Sequence, residues 1–176
     1  VRPRLSAQCG SIAAQMTDLA VVVSHPDGDP PLFGDSTLHA RPILDRLKRS
    51  LVSSLDTPST SQARARMIGD YWVWRHGDDG LVFDTGPVGA DELPAHAHCD
   101  LLGFEASIGG HKLFVDSGIS SYEDDDIRRY SRSTAAHNCL EIDGISQCDV
   151  WGKFRMGYRG HPQLIDEGHQ EDHWWC

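Results

Sequence analysis

The densest chemistry in the sequence lies in Leu93-Pro94-Ala95-His96-Ala97-His98-Cys99-Asp100. Alternate side chains of an extended chain share a face, so His96, His98 and Asp100 point the same way there. Imidazole and carboxylate are good zinc ligands, and a neighbouring carboxylate orients a metal-bound imidazole. An H-x-H pair alone is a weak signal that more often describes surface histidines. Two later features add to it. Val115-Asp116-Ser117-Gly118 puts an acid at the end of an apolar strand, and Ser133-Thr134-Ala135-Ala136-His137-Asn138 puts a His-Asn pair before another. A His, an Asp and a second His from three strands can close three sides of a zinc tetrahedron. Taken singly, Asp116 also reads as a strand-end cap with turn chemistry, and His137 as a hydrogen-bonded core histidine.

Register sets a condition on the shared metal. A tight Gly109-Gly110 turn pairs Ile108 with His111 and sets Asp116 opposite Gly103. His98 then lies five residues further along, roughly 16 Å at strand rise and with the wrong parity. A bend, a bulge or a longer turn must fold 96–99 back. A cupin site is the rival for H-x-H in an all-β chain, but it needs a Glu three or four residues later. The next Glu is Glu105, with six residues between.

Further residues have two readings each. Arg128, Arg129 and Arg132 offer forked hydrogen bonds to a carboxylate or sulfate. They equally suit pairing with Glu123-Asp124-Asp125-Asp126 just upstream. Lys153, Arg155 and Arg159 alternate as one solvated strand face would. Trp72, Trp74 and Trp151 can stack on sugars or pack in a core. Glu105 is a partner to the site or an edge residue.

The elements that must position these groups change character along the chain. Residues 11–23 have helical apolar spacing, and His25-Pro26-Asp27-Gly28-Asp29-Pro30-Pro31 breaks them. Asp35-Ser36-Thr37 supplies N-cap chemistry for a second helix over 37–55. Thr57 to Gln62 is a polar connector, and a domain boundary is placed there. Beyond it come strands at 71–75 and 81–84, a hairpin over 101–116, and a strand at 139–142 entering the Asp143-Gly144 turn. Frequent turns and short strands predict an antiparallel β-sandwich, a mostly β fold.

The chain has 176 residues, 39% of them hydrophobic, so a sizeable core is affordable. Sixteen Lys+Arg against 26 Asp+Glu give a net charge of −10, which argues against nucleic acid. No apolar run reaches the length of a membrane span. Five cysteines, at 9, 99, 139, 148 and 176, form no C-x-x-C pair, so isolated thiols are expected. The chain starts at Val1 and ends at His173-Trp174-Trp175-Cys176, and reads as a fragment of a longer protein.

The segment Leu93-Pro-Ala-His-Ala-His-Cys-Asp-Leu-Leu-Gly-Phe-Glu resembles the heparinase II/III-like family of polysaccharide lyases. Phe114-Val115-Asp116-Ser117-Gly118, Tyr122-Glu123, Arg128, Arg132 to Asn138, Asp143-Gly144, Gln147 and Trp151 to Arg155 continue in family order. His25-Pro26-Asp27-Gly28 with Phe33-Gly34-Asp35-Ser36 resembles the end of the family's helical domain. The resemblance spans about residues 16–160. It implies that residues 1–57 end an (α/α) toroid and 58–176 begin a β-sandwich, incomplete at its C-terminus. It implies β-elimination on acidic, uronate-containing polysaccharides, and Zn²⁺, chiefly structural, on His98, Asp116 and His137. His96 and Tyr122 become the catalytic-cleft residues, and Arg128, Arg132 and Asn138 the substrate contacts. A periplasmic or cell-envelope location and inactivity of the fragment alone follow as expectations. Cys99, Gly103 and Cys139 depart from the usual Ala, Ser and Thr or Ser, without removing a ligand. A glycan-binding, zinc-stabilised sandwich without activity and a metal-free structural sandwich are the alternatives.

Overall fold

A computed structural model describes residues 3–38, 41–51, 63–171 and 173–176. Helices α1 (Pro3–Val23) and α2 (Arg41–Leu51) pack on each other and precede the sheets. Strands β1 (Arg64–Ile68), β2 (Tyr71–His76), β3 (Asp79–Asp84), β4 (Phe104–Ile108) and β5 (His111–Phe114) form one antiparallel sheet in sequential order. Helix α3 (Asp126–Ser131) follows. Two small hairpins, β6 (Val150–Trp151) with β7 (Arg155–Met156) and β8 (Gly168–Gln170) with β9 (His173–Trp175), complete the described chain. The fold is mostly antiparallel β with few helices.

Cross-strand pairing assigns the two faces of the sheet. Val73 faces Val82, which faces Glu105. On this face Val23 of α1 packs on Val73 and Val82, with Leu19, Val22 and Phe33 around them. Burying each such side chain contributes about 1.5–3 kcal/mol. The face then turns polar at Glu105 and Ser107. The opposite face is aromatic: Phe104 sits 5.5 Å from Phe114, and Trp74 is 6.0 Å from Trp174 of β9.

Several expected elements shift. The first helix begins at Pro3, not Ser11, because Arg, Gln and Ser positions hide its first turns from a periodicity reading. The second is described over 41–51; of the expected 37–55, residues 37–38 are not helical, while 39–40, 52–55 and the connector with its boundary lie outside the described residues. Strand β1, Arg-Ala-Arg-Met-Ile, escapes the sequence reading because its outward positions are arginines. The strand expected at 139–142 does not form; only a bridge from Ile142 to Ile145 is present. Its backbone is tied by side chains instead, with Gln147 Nε2 donating to the carbonyls of Leu101 and Leu140. The alternating strand through Lys153, Arg155 and Arg159 is likewise replaced by the short β6–β7 hairpin, and of residues 153–159 only Arg155 and Met156 are strand. All five cysteines are free, Cys99 and Cys148 in a small core with Val88, Ala97 and Met156.

Candidate functional site

The site begins with the segment after α1. His25 Nε2 lies 2.6 Å from Glu105 Oε2, and His25 Nδ1 lies 2.7 Å from Ser107 Oγ. Glu105 Oε1 accepts the backbone N–H groups of Leu32 at 2.6 Å and of Asp116 at 3.1 Å. All three polar side chains are buried. Removing one member would leave a buried polar group unpaired, at a cost of about 1–3 kcal/mol. One carboxylate on β4 therefore anchors both the segment that carries Asp35 and the backbone of Asp116.

Asp35 is the centre of the site. The N-cap role expected of it is not what its carboxylate does. Its side chain, 6% exposed, meets His96 Nδ1 at 2.8 Å and His98 Nε2 at 2.9 Å. Both terminal nitrogens of Arg128 donate to it, one to each oxygen. Burial works against its charge, but the hydrogen bonds from His98, Arg128 and His96 outweigh it and hold the carboxyl well below the usual carboxylate range. The turn before it is tight: Gly34 has φ +55°, and a Cβ there would lie 2.9 Å from the His96 carbonyl oxygen. That oxygen accepts the Asp35 N–H at 3.2 Å. Asp100 Oδ2 accepts the Gly34 N–H. His96, His98 and Asp100 thus all address residues 34–35, although 94–96 is a single 3₁₀ turn rather than a strand.

The condition set by register is met twice. The β4–β5 ladder shifts by one residue between Ala106 and Ser107, a β-bulge. The chain also folds back at 97–99, stitched by Cys99 N–H to the Arg132 carbonyl and by Thr134 Oγ1 to the Cys99 carbonyl. The His98 and His137 rings then lie 5.2 Å apart. Asp116 Oδ2 meets His137 Nδ1 at 2.7 Å, while Oδ1 accepts the Gly118 N–H. Burial opposes the charged form of His137, but the Asp116 hydrogen bond and charge raise its pKa above the usual value.

The metal fit rests on two orphaned atoms. His98 Nδ1 and His137 Nε2 are buried without a hydrogen-bond partner, which buried polar atoms rarely are. Two imidazole nitrogens with free lone pairs in one buried cluster suit zinc. Asp116 faces the other nitrogen of His137, as an orienting carboxylate does. Among the described residues no group of three or more His, Cys, Asp or Glu side chains is placed to hold an ion.

On the open side, the His96 ring is 61% exposed. Tyr122 stands edge-on to it at 6.1 Å and Phe154 at 6.4 Å. Burial and the Asp35 charge raise the Tyr122 pKa, so its phenol keeps its proton at neutral pH. The two arginines expected at the substrate have internal partners instead. Arg128, 1% exposed, lies under the Tyr122 ring at 5.3 Å and also donates to the Lys153 carbonyl. Arg132, fully buried, donates to the carbonyls of Ala97, Gly152 and Arg155. Its forked donors match converging carbonyls, which is why it is drawn inward. Only Arg129 pairs with Asp124 and Asp126 as an exposed residue. Asn138 Nδ2 donates to the Phe104 carbonyl, tethering the His137 segment to β4. Asp35 and His25 were the functional residues missed. Their sequence signals are the polar, glycine-containing turns and the family-like segments in which they sit.

A buried imidazole cluster thus lies beside an exposed His-Tyr pair, next to the antiparallel sheet. Residues 58–175 match the family model described as heparinase II/III-like, C-terminal, and the chain belongs to that family. A solved heparinase III structure superposes with a TM-score of 0.63 at 17% identity, covering 88% of this chain and 28% of that one. The heparan sulfate lyase HepC from Pedobacter heparinus gives 0.55 at 23% identity, covering 75% and 24%. These likenesses show a shared fold. The chain spans about a quarter of the length of these solved structures. No curated protein matches it significantly. No described helix is long and apolar enough to cross a membrane.

Proposed function

We propose that the chain forms part of a polysaccharide lyase that cleaves an acidic, uronate-containing glycan such as heparan sulfate or alginate by β-elimination. The observation that carries this reading is the exposed His96 ring, held at Nδ1 by buried Asp35, with Nε2 open beside Tyr122. A carboxylate accepts only, so the proton of neutral His96 sits on Nδ1 and Nε2 carries a lone pair. That nitrogen takes the proton at carbon five of the uronate. Tyr122, kept as a phenol, returns a proton to the leaving glycosidic oxygen. His98, Asp116 and His137 are the residues that would hold zinc. Bound there, the ion would tie the 97–99 bend to the 116 and 137 segments.

Half-buried Lys153 has its Nζ 5.9 Å from the Phe154 ring, which itself stands 6.4 Å from His96. It offers a carboxylate or sulfate contact that Arg128 and Arg132 do not. Asn138 stands beside the imidazole cluster as a further contact. An extracellular glycan substrate places the protein in the periplasm or cell envelope. A second reading, a glycan-binding sheet domain without turnover, draws on the exposed Tyr122–Phe154 aromatic pair, 5.7 Å apart.

The test uses the full-length gene product carrying this sequence, incubated with heparin, heparan sulfate, alginate and hyaluronan. A rise in the ultraviolet absorbance of unsaturated uronate, abolished by His96→Ala, is the expected result. Retained binding with no rise across the panel favours the binding module and overturns the lyase. Metal analysis should find about one zinc per chain, lost in His98→Ala. No zinc in the intact protein overturns the metal site.

A further inference from the structure

Asp35 does more than neutralise Arg128. Its two oxygens divide their imidazole partners: Oδ2 takes His96 Nδ1 and Oδ1 takes His98 Nε2. Both distances, 2.8 and 2.9 Å, are those of charge-assisted hydrogen bonds. Because an ionised carboxylate has no proton to give, each facing nitrogen must be the protonated one. Arg128 enforces this, since its terminal nitrogens also donate to both oxygens. The His98 Nε2 contact with Arg128 is longer, 3.4 Å, as two donors sharing one acceptor require.

The consequence is a pair of opposite tautomers two residues apart. His96 is Nδ1–H, so its lone pair is on Nε2 at the open surface. His98 is Nε2–H, so its lone pair is on Nδ1, the buried atom without a partner beside His137. Three loops supply the geometry. The Asp35 N–H is bonded to the His96 carbonyl, and the Ile119 N–H to the Ser36 carbonyl. Gly118 is held close enough that a Cβ would lie 2.5 Å from the Ser36 oxygen.

Building on the lyase reading above, we propose that Asp35 is a positioning residue that sets His96 and His98 in opposite tautomers, one for proton transfer and one for the buried ligand cluster. A single carboxylate from the segment between the two helices thereby couples the cleft to the zinc ligands. Displacing that segment releases both imidazoles together.

The test reads tautomers directly. In ¹⁵N-histidine-labelled full-length protein, long-range ¹H–¹⁵N correlations distinguish Nδ1–H from Nε2–H. His96 is expected as Nδ1–H and His98 as Nε2–H. His96 found as Nε2–H overturns the proposal, and this holds without any variant. Asp35→Asn should mix the tautomers of both rings and lower kcat roughly 10²-fold, with KM little changed. Asp35→Glu should restore part of kcat and both tautomers. An Asp35→Asn protein with wild-type tautomers and kcat overturns the proposal. The opposite-tautomer pattern in a protein inactive on every glycan supports this assignment while sinking the lyase reading.

Discussion

Two buried or partly buried carboxylates in this protein stand in opposite electrical surroundings. Asp35 is ringed by donors: two imidazole nitrogens and both ends of a buried guanidinium. Asp84, at the end of β3, has one backbone donor, the Gly86 N–H, and acidic neighbours in Asp100 and Asp70. Burial, with the repulsion of those two acids, pushes Asp84 up to about 7 against that one hydrogen bond. Burial acts on Asp35 in the same sense and loses. Partners, not depth, decide which buried acid is charged. The charged one organises imidazoles, and the other closes a strand corner.

The strongest way to break this contrast is Arg128→Leu. It strips the cation from Asp35 and should cost about 3–5 kcal/mol in denaturant unfolding. Arg129→Gln, one residue on but exposed, should leave the melting temperature unchanged.

Asp84→Asn should act with the opposite sign. Between its ordinary value and about 7, folded Asp84 holds a proton that the unfolded chain has released. Stability therefore falls as pH rises from about 4 to about 7 and levels off above. The variant should gain on the order of 2–3 kcal/mol at pH ~8 and nothing near pH ~4. An equal effect at both pH values would remove Asp84 from the comparison.

Gly34→Ala tests how tightly the turn aims Asp35. With φ +55° and the His96 oxygen 2.9 Å from the new Cβ, a loss of about 1–2 kcal/mol is expected. Thermal unfolding measures it, and activity should fall with it. Asp70→Asn should have the smallest effect, a gain of about 0.5 kcal/mol at pH ~8, because Asp70 is exposed and screened.

Much of the scaffold is legible in the sequence. β2 and β3 are short runs of aromatic and aliphatic residues, Tyr71-Trp72-Val73-Trp74 and Leu81-Val82-Phe83, around Gly77-Asp78-Asp79-Gly80, and the β4–β5 turn is Gly109-Gly110. Strand-forming residue types and glycine turns are local, so they survive in one dimension. The mutual approach of His98, Asp116 and His137 came from their place in a family-like motif order. Strand arithmetic alone set them apart, because it could not include the bulge at Ala106/Ser107 or the fold-back at 97–99.

The sequence by itself determined the mostly antiparallel β fold, the helices before it and the set of residues able to do chemistry. Periodicity, turn residues and side-chain type are properties of neighbours along the chain. Only the tertiary structure decided what those residues do. It turned Asp35 from a helix cap into the acceptor for His96, His98 and Arg128, across 61, 63 and 93 residues of sequence. It drew Arg132 inward and paired Glu105 with His25. Hydrogen bonds and charges act through space, over a few ångströms, and sequence separation carries no record of which donors will meet which acceptors.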